Sequence, residues 1–394
     1  MYEVKIMYKI CFFTGTRAEY GLLYPLMKKV KEQNEFELQI IASGMHLSPE
    51  FGLTYKEIEK DGFRINEKVE ILLSSDSDIG INKSIGLGII SFSEVLKRLK
   101  PTVLVVLGDR FETLSVTITA YIQKIPIVHI HGGERTEGAI DEGIRHSITK
   151  MSYLHFTSTE EYRKRVIQLG ENPERVFNVG AIGLDNIENM KLLDKQELEK
   201  ELNFKFDEKT ALFTYHPVTL KSKDLQKELR EIFSALEELI KSGYKLIITK
   251  SNADAGGRTI TNFIDDFSNK FKKEVLSVTN LGTLKYLSTM KYVNFVIGNS
   301  SSGIIEAPSF KVPTINIGDR QKGRVKGNSI IDCKPIKEDI LKAVEFAEKM
   351  DRSNIINPYY QGGASEKIYR ILKDYIENEK LSNVKEFFDI KFSI

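Results

Sequence analysis

Two stretches of this chain gather ionisable side chains directly after apolar runs. "VVLGDRFE" places Asp109 and Arg110 behind one such run, and "VHIHGGERTEGAIDEGIRHSITK" places His131, Glu134, Asp141, Glu142, Arg145 and His146 behind the next. Carboxylates and imidazoles grouped in this way suit general acid–base work, in which a proton is taken from one atom and given to another. Plainer readings exist for single members. Asp109 could cap a helix, and Asp141 with Arg145, four residues apart, could be an ordinary ion pair on one helix face. His129 and His155 fall inside the runs "PIVHI" and "YLHFT" and read as core or supporting histidines.

A third stretch carries a different chemistry. "GNSSSGIIEAP", from Gly298 to Pro308, follows the alternating run "YVNFV". A strand that ends in glycine and opens a helix through Ser300, Ser301 and Ser302 presents backbone N–H groups, hydroxyls and the positive end of a helix dipole, a setting for phosphate or diphosphate. Gly298 and Gly303 would let backbone approach the ligand closely. Glu306 would repel a phosphate but matches a vicinal diol, whose hydroxyls can donate to both carboxylate oxygens. Diphosphate plus diol points to a nucleotide. A serine cap with a glutamate in the first turn explains the same residues without any ligand. His216 in "TYHPVT" and Arg320 in "NIGDRQKGR" also follow strand-like runs and favour the nucleotide. "TGTRAEYG" lacks the G-x-G-x-x-G spacing, so no nicotinamide cofactor is indicated.

The elements that must position these residues alternate along the chain. Runs such as "KICFF", "ELQII", "VEILL" and "TVLVVL" are separated by amphipathic stretches, and after a charged, helical interval the pattern restarts with "ALFTY", "KLIIT", "EVLSV", "YVNFVI" and "PTINI". This is the signature of βαβ units and parallel sheets. We expect an α/β protein of two Rossmann-like, doubly wound domains facing a cleft, with boundaries at residues 1–187, 188–375 and 376–394, the last packing back on the first domain. The chain has 394 residues, 41% of them hydrophobic, and 57 Lys plus Arg against 55 Asp plus Glu. A net charge of +2 gives no field for nucleic acid or an anionic membrane. No stretch reads as a membrane span or signal peptide, so a cytoplasmic protein is expected. Cys11 and Cys333 read as reduced bystanders, and no Cys/His spacing suggests a metal site.

"SGMH", "LGDR", "HIHGGE", "IRHSITKMS", "TSTEEYRKRVIQLG", "HPVT", "SNAD" and "GNSSSGIIEAPS" occur in one order along most of the chain. In this the chain resembles the hydrolysing UDP-N-acetylglucosamine 2-epimerases of bacterial sialic acid synthesis. The resemblance implies a GT-B fold, in which "ASEKIYRILKDYIENEK" would cross back to the first domain, and UDP held by the second domain. It implies a nucleotide site of Ser300, Ser301, Ser302, Glu306, Arg320, Asn252 and His216, with backbone near Leu281 at the base. Arg17, His46, Arg110 and Arg145 would serve phosphate and sugar. Asp109 and Asp141 would be the catalytic acids, together with Glu134, His131 and His216; related enzymes carry a glutamate where this chain has His131.

That activity needs several ionisable groups. The C2 proton of an N-acetylhexosamine is not appreciably acidic, so the resemblance implies loss of UDP with removal of H2, then hydration of the glycal. No cofactor is required, and the implied partners are a UDP-sugar and further copies of the chain, as a dimer or tetramer. Alternatives are the same reaction on a 2,4-diacetamido-trideoxyhexose nucleotide, a GT-B glycosyltransferase, and a non-catalytic nucleotide-sugar sensor.

Overall fold

A computed structural model of the chain describes residues 7–73, 77–136, 140–216, 225–250 and 257–391. The chain forms two compact units. One comprises residues up to Glu134, Ile140–Asn186 and Gln361 onward; the other comprises Ile187–Tyr360 together with Arg135 and Thr136.

The first unit is built on a seven-stranded sheet of β1 (Tyr8–Thr14), β2 (Phe36–Ser43), β3 (Glu67–Val69), β4 (Val103–Leu107), β5 (Ile127–Ile130), β6 (Leu154–Thr157) and β7 (Val176–Asn178). All pairs are parallel, in the order β3-β2-β1-β4-β5-β6-β7. β1 shows why the inner strands read as continuous apolar runs. Ile10 and Phe12 enter the core on one face with Tyr20, Leu23 and Leu26 of the helix Arg17–Lys31, while Cys11 and Phe13 enter the other with Phe92, Val95 and Val116. A strand covered on both faces has no polar side to alternate with.

The second unit carries a six-stranded parallel sheet, β10-β9-β8-β11-β12-β13, from β8 (Thr210–Thr214), β9 (Lys245–Thr249), β10 (Val275–Val278), β11 (Phe295–Gly298), β12 (Thr314–Ile317) and β13 (Ile330–Cys333). In each sheet the strand order reverses at a central pair, β1 beside β4 and β8 beside β11. Open α/β sheets bind ligands beyond the carboxyl ends of strands at such points.

Several expectations change. "VEILL" yields a strand only at its start, since β3 ends at Val69, and β7 and β13 are edge strands of 3 and 4 residues that were not expected. The second unit ends at Tyr360 rather than at residue 375. The helix Ala364–Glu377 buries Ile368, Tyr369, Leu372 and Ile376 in the first unit's core, and the Asp185 carboxylate receives the backbone N–H groups of Ala364 at 2.9 Å and Ser365 at 2.6 Å at that helix's start. The helix Asp78–Leu99, with mean hydropathy 1.3 over its most apolar window, is long and apolar enough by length and composition to cross a membrane, contrary to expectation. It packs on the helix Phe111–Ile122 so closely that a Cβ at Gly88 would stand 2.9 Å from Ser115 Cβ.

Candidate active site

In the first unit the expected acid–base residues leave the carboxyl ends of β4 and β5. Gly108, at φ +77, turns the chain after β4 and delivers Asp109. Arg145, on the helix Asp141–Met151, is 2% exposed and gathers three acceptors. Its Nη2 donates to Asp109 Oδ2, while Nη1 donates to the Glu134 carbonyl at 2.8 Å and to Glu142 Oε2 at 3.1 Å. A planar guanidinium with several N–H groups can tie carboxylates from separate elements in this way. Asp141 stands in the first turn of the same helix, where a negative charge is favoured. His146 also reaches Glu142, at 3.3 Å.

His131 and Glu134 meet on the loop after β5. His131 holds φ +65, a left-handed conformation that costs a non-glycine residue energy, and its N–H is fixed by the Phe156 carbonyl at 2.8 Å. Its Nε2 accepts from the Ile182 N–H at 3.4 Å, which leaves Nδ1 to face Glu134 Oε1 at 3.5 Å. Ser158 donates to the same carboxylate oxygen at 2.9 Å. The two residues for which a division of labour was open are therefore neighbours.

Burial disfavours charge on the histidines beneath. His129 lies in β5, as expected of a supporting residue, with its ring between Thr149 Oγ1 at 3.1 Å and the Gly108 carbonyl at 2.8 Å; burial pushes its pKa down to about 3. His155 lies in β6, faces Glu171 Oε2 at 3.1 Å and is held below its ordinary pKa by burial. His46 follows β2 in the short helical turn Gly44–Leu47. It is wholly buried, with Thr14 Oγ1 at 3.0 Å on Nε2 and Thr54 Oγ1 at 2.8 Å on Nδ1, and burial lowers its pKa to about 4. This is a neutral imidazole under the ends of β1 and β2. Arg17 opens its helix and pairs with Glu57 at 3.5 Å. Arg110 follows Asp109 and pairs with Glu112.

In the second unit, "GNSSSG" turns where β11 ends. Gly298 has φ +133, and a Cβ there would overlap the Thr214 carbonyl. A Cβ at Gly303 would stand 2.6 Å from Thr314 Cγ2. Both glycines thus allow close packing within the protein. Ser300 caps the helix Ser301–Ile305 by accepting from the Ser302 N–H at 3.4 Å. That helix is a single turn, so the dipole expected there is small, and the polar groups offered are the local N–H and hydroxyl groups. Glu306 is the C-cap of this helix, its N–H bonded to the Ser302 carbonyl at 2.9 Å. The arrangement is therefore not the cap-plus-first-turn pair that could have explained the motif without a ligand.

Two residues escaped the sequence reading. Asn299, 1% exposed, accepts the His216 N–H at 2.7 Å, returns its amide to the His216 carbonyl at 2.8 Å, and offers its own carbonyl to Arg320 Nη1 at 3.0 Å and Gln321 at 2.9 Å. One asparagine thus fixes the turns after β8, β11 and β12, and through them His216, the serines and Arg320. Tyr286 brings its phenol beside Ser302, Thr214 and Ser300 and near Glu306; burial and then the Glu306 carboxylate raise its pKa against the hydroxyl hydrogen bonds. His216 is pushed down to about 4, first by burial and then by the Arg320 charge. Leu281 caps the helix Gly282–Tyr292 after β10 and is buried. Asn252 lies outside the described residues, as do the residues after His216 in "HPVT".

Comparison with known proteins identifies the family. Residues 28–373 match the family model described as UDP-N-acetylglucosamine 2-epimerase. A Campylobacter jejuni protein named GDP/UDP-N,N'-diacetylbacillosamine 2-epimerase (hydrolyzing) is 46% identical over 97% of this chain and 99% of its own length. The Escherichia coli polysialic acid biosynthesis protein P7 is 40% identical, covering 98% of each. Among solved structures, UDP-GlcNAc 2-epimerase from Neisseria meningitidis bound to UDP-GlcNAc superposes with a TM-score of 0.79 at 20% identity, over 93% of this chain and all of that one. The fold is thus that of the GT-B UDP-GlcNAc 2-epimerases, with two parallel-sheet α/β domains. The model match over most of the length, with relatives this similar end to end, places the chain in the UDP-N-acetylglucosamine 2-epimerase family.

Proposed function

We propose that the protein is a hydrolysing 2-epimerase that converts UDP-N-acetylglucosamine and water to N-acetylmannosamine and UDP, feeding sialic acid synthesis. The observation that carries this reading is the set of buried and half-buried acids around Arg145, which includes Asp109 and Glu142. A transferase that only moves a sugar to an acceptor has no need of it. Relatives whose names include hydrolysing activity support the same reading.

The reaction runs in two steps. A carboxylate removes H2 as the C1–O bond to UDP breaks; the electron pair of that C–H bond forms the C1=C2 double bond, and UDP leaves with the oxygen. Ser300, Ser301 and Arg320 stabilise the departing diphosphate, and Glu306 holds the ribose diol. His216, neutral at physiological pH, can donate without adding charge. Water then adds its oxygen to C1 of the glycal and gives one of its protons to a carboxylate, while an acid delivers a proton to C2 on the opposite face. Asp109, Glu134 and Asp141 are the acid–base candidates, with His131 oriented toward Glu134. Loss of UDP makes C1 cationic, which nearby carboxylates favour.

A second reading keeps this chemistry and changes the sugar to a UDP-2,4-diacetamido-2,4,6-trideoxyhexose. The 46% identity to the Campylobacter jejuni enzyme favours it. The test supplies purified protein with each nucleotide sugar in D₂O and follows UDP release and the free sugar. The first reading expects faster release from UDP-N-acetylglucosamine, with free N-acetylmannosamine carrying deuterium at C2. Faster turnover of the diacetamido sugar selects the second reading. Retention of the substrate's own C2 hydrogen would refute elimination for either.

A further inference from the structure

Glu112 has no role in the chemistry above, yet its surroundings are built around it. It stands in the first turn of the helix Phe111–Ile122, where a carboxylate is ordinarily a solvated charge. Here it is fully buried and grips Arg110 with both oxygens, Nε donating to Oε2 at 3.2 Å and Nη2 to Oε1 at 3.2 Å. Glycine leaves room for it: a Cβ at Gly44, where φ is +59, would come within 2.9 Å of Glu112 Oε1, and one at Gly15 within 3.5 Å of Glu112 Cβ. Gly15, Gly44 and Glu112 follow β1, β2 and β4, so the turns after adjacent strands converge on one carboxylate.

The outer edge of Arg110 remains available. Nη2 also touches Met45 Sδ at 3.6 Å, but Nη1 meets no acceptor among the described residues, and the side chain is 37% exposed. Burial opposes the charge on Arg110, but Glu112 and Glu19 outweigh it and keep the guanidinium protonated. A guanidinium held along one edge by a carboxylate presents its other edge in a fixed plane, and a pair of N–H donors in that plane matches an oxygen-rich ligand.

We propose that Glu112 is a positioning residue that locks Arg110 through a two-pronged ion pair, so that the Nη1 edge donates to acceptor oxygens of the nucleotide sugar. The ligand's identity rests on the function proposed above; the lock itself does not. The test uses the full-length protein with Arg110→Ala, Glu112→Gln and the double variant, measuring kcat and KM, UDP affinity by calorimetry, and hydrogen exchange of the Arg110 Nε–H in protein labelled with ¹⁵N-arginine. Glu112→Gln should lower kcat/KM by about 10-fold or more through lost preorganisation. In the Arg110→Ala background the same change should have almost no effect, because a residue that works through Arg110 has nothing left to position. The Nε–H, slow to exchange in the wild type, should exchange faster in Glu112→Gln, where one neutral amide oxygen replaces a carboxylate that gripped two N–H groups. A fall in UDP affinity would identify the acceptor as diphosphate, and an unchanged affinity with a raised KM would identify it as the sugar. Losses that multiply in the double variant, or an Nε–H exchange rate in Glu112→Gln equal to that of the wild type, would overturn the proposal. If the wild type consumes neither nucleotide sugar, the proposed function fails, and Nε–H exchange still decides the lock.

Discussion

Arg145 and Asp109 form an ion pair in which the cation is buried and the anion, at the turn after β4, is 24% exposed. The pair fixes a carboxylate without hiding it. Asp109→Asn would keep the shape and remove the charge, so turnover should fall by about 10² or more as stabilisation of the cationic ring is lost. UDP affinity should hardly change. Steady-state kinetics alongside calorimetry separates the two quantities, and near-native turnover in the folded variant would remove Asp109 from the chemistry.

Glu306 is tested through binding. If its carboxylate holds the ribose diol by charge-assisted hydrogen bonds, Glu306→Ala should weaken UDP by roughly 2–4 kcal/mol. Thermal melting of the unliganded variant checks that the fold survives. An unchanged dissociation constant would reduce Glu306 to the residue that ends a one-turn helix.

How much of this was legible in the sequence depended on where each signal lay. Inner strands such as β1 and β4 were readable because burial on both faces makes them uninterrupted apolar runs. β7 ("VFN") and β13 ("IIDC") were not, since short edge strands carry little apolar pattern of their own. "GNSSSG" stood out through its glycines, which also pack against Thr214 and Thr314. The helix after it is a single turn, Ser301–Ile305. Asn299 gave no signal at all. Its partners, His216, Arg320 and Gln321, are distant in sequence, and only the sheet order brings them together.

Glu171 anchors the C-terminal segment. Its fully buried carboxylate receives Lys150 Nζ at 2.6 Å and Lys385 Nζ at 2.8 Å, and Phe388 N–H bonds the Gly170 carbonyl at 2.9 Å. Burial alone would raise its pKa, but His155, Lys150 and Lys385 prevail and hold it at about 2, against an ordinary 4.5. A depressed carboxylate stabilises the fold above its unfolded pKa and loses that contribution as pH falls toward the folded one, here from 4.5 down to about 2. Glu171→Gln removes the carboxylate from the half-buried Lys385 and should cost about 1–3 kcal/mol. Limited proteolysis at neutral pH should then cut within residues 381–391 sooner than in the wild type. Equal cutting rates would mean that the apolar contacts of Phe387 hold the segment unaided.

Glu19 should show the opposite pH dependence. Its Oε2 accepts the N–H groups of Gly15 at 2.7 Å and Thr16 at 3.1 Å, but Oε1 is buried without a hydrogen-bond partner among the described residues. Burial raises its pKa to about 7; the Arg110 charge and the N–H groups oppose the rise, and Glu112 adds to it. A carboxyl whose pKa is raised on folding stabilises the protein fully below its unfolded value of 4.5 and loses that contribution as pH climbs to about 7. Glu19→Gln keeps an oxygen for both N–H groups and cannot ionise. Relative to the wild type, the variant should therefore gain up to about 3 kcal/mol between pH 4.5 and pH 8. Urea unfolding of both proteins across that range measures the difference. Stability curves that run parallel would show that Glu19 ionises as freely in the folded chain as in the unfolded one, and that the Arg110 charge fully compensates its burial.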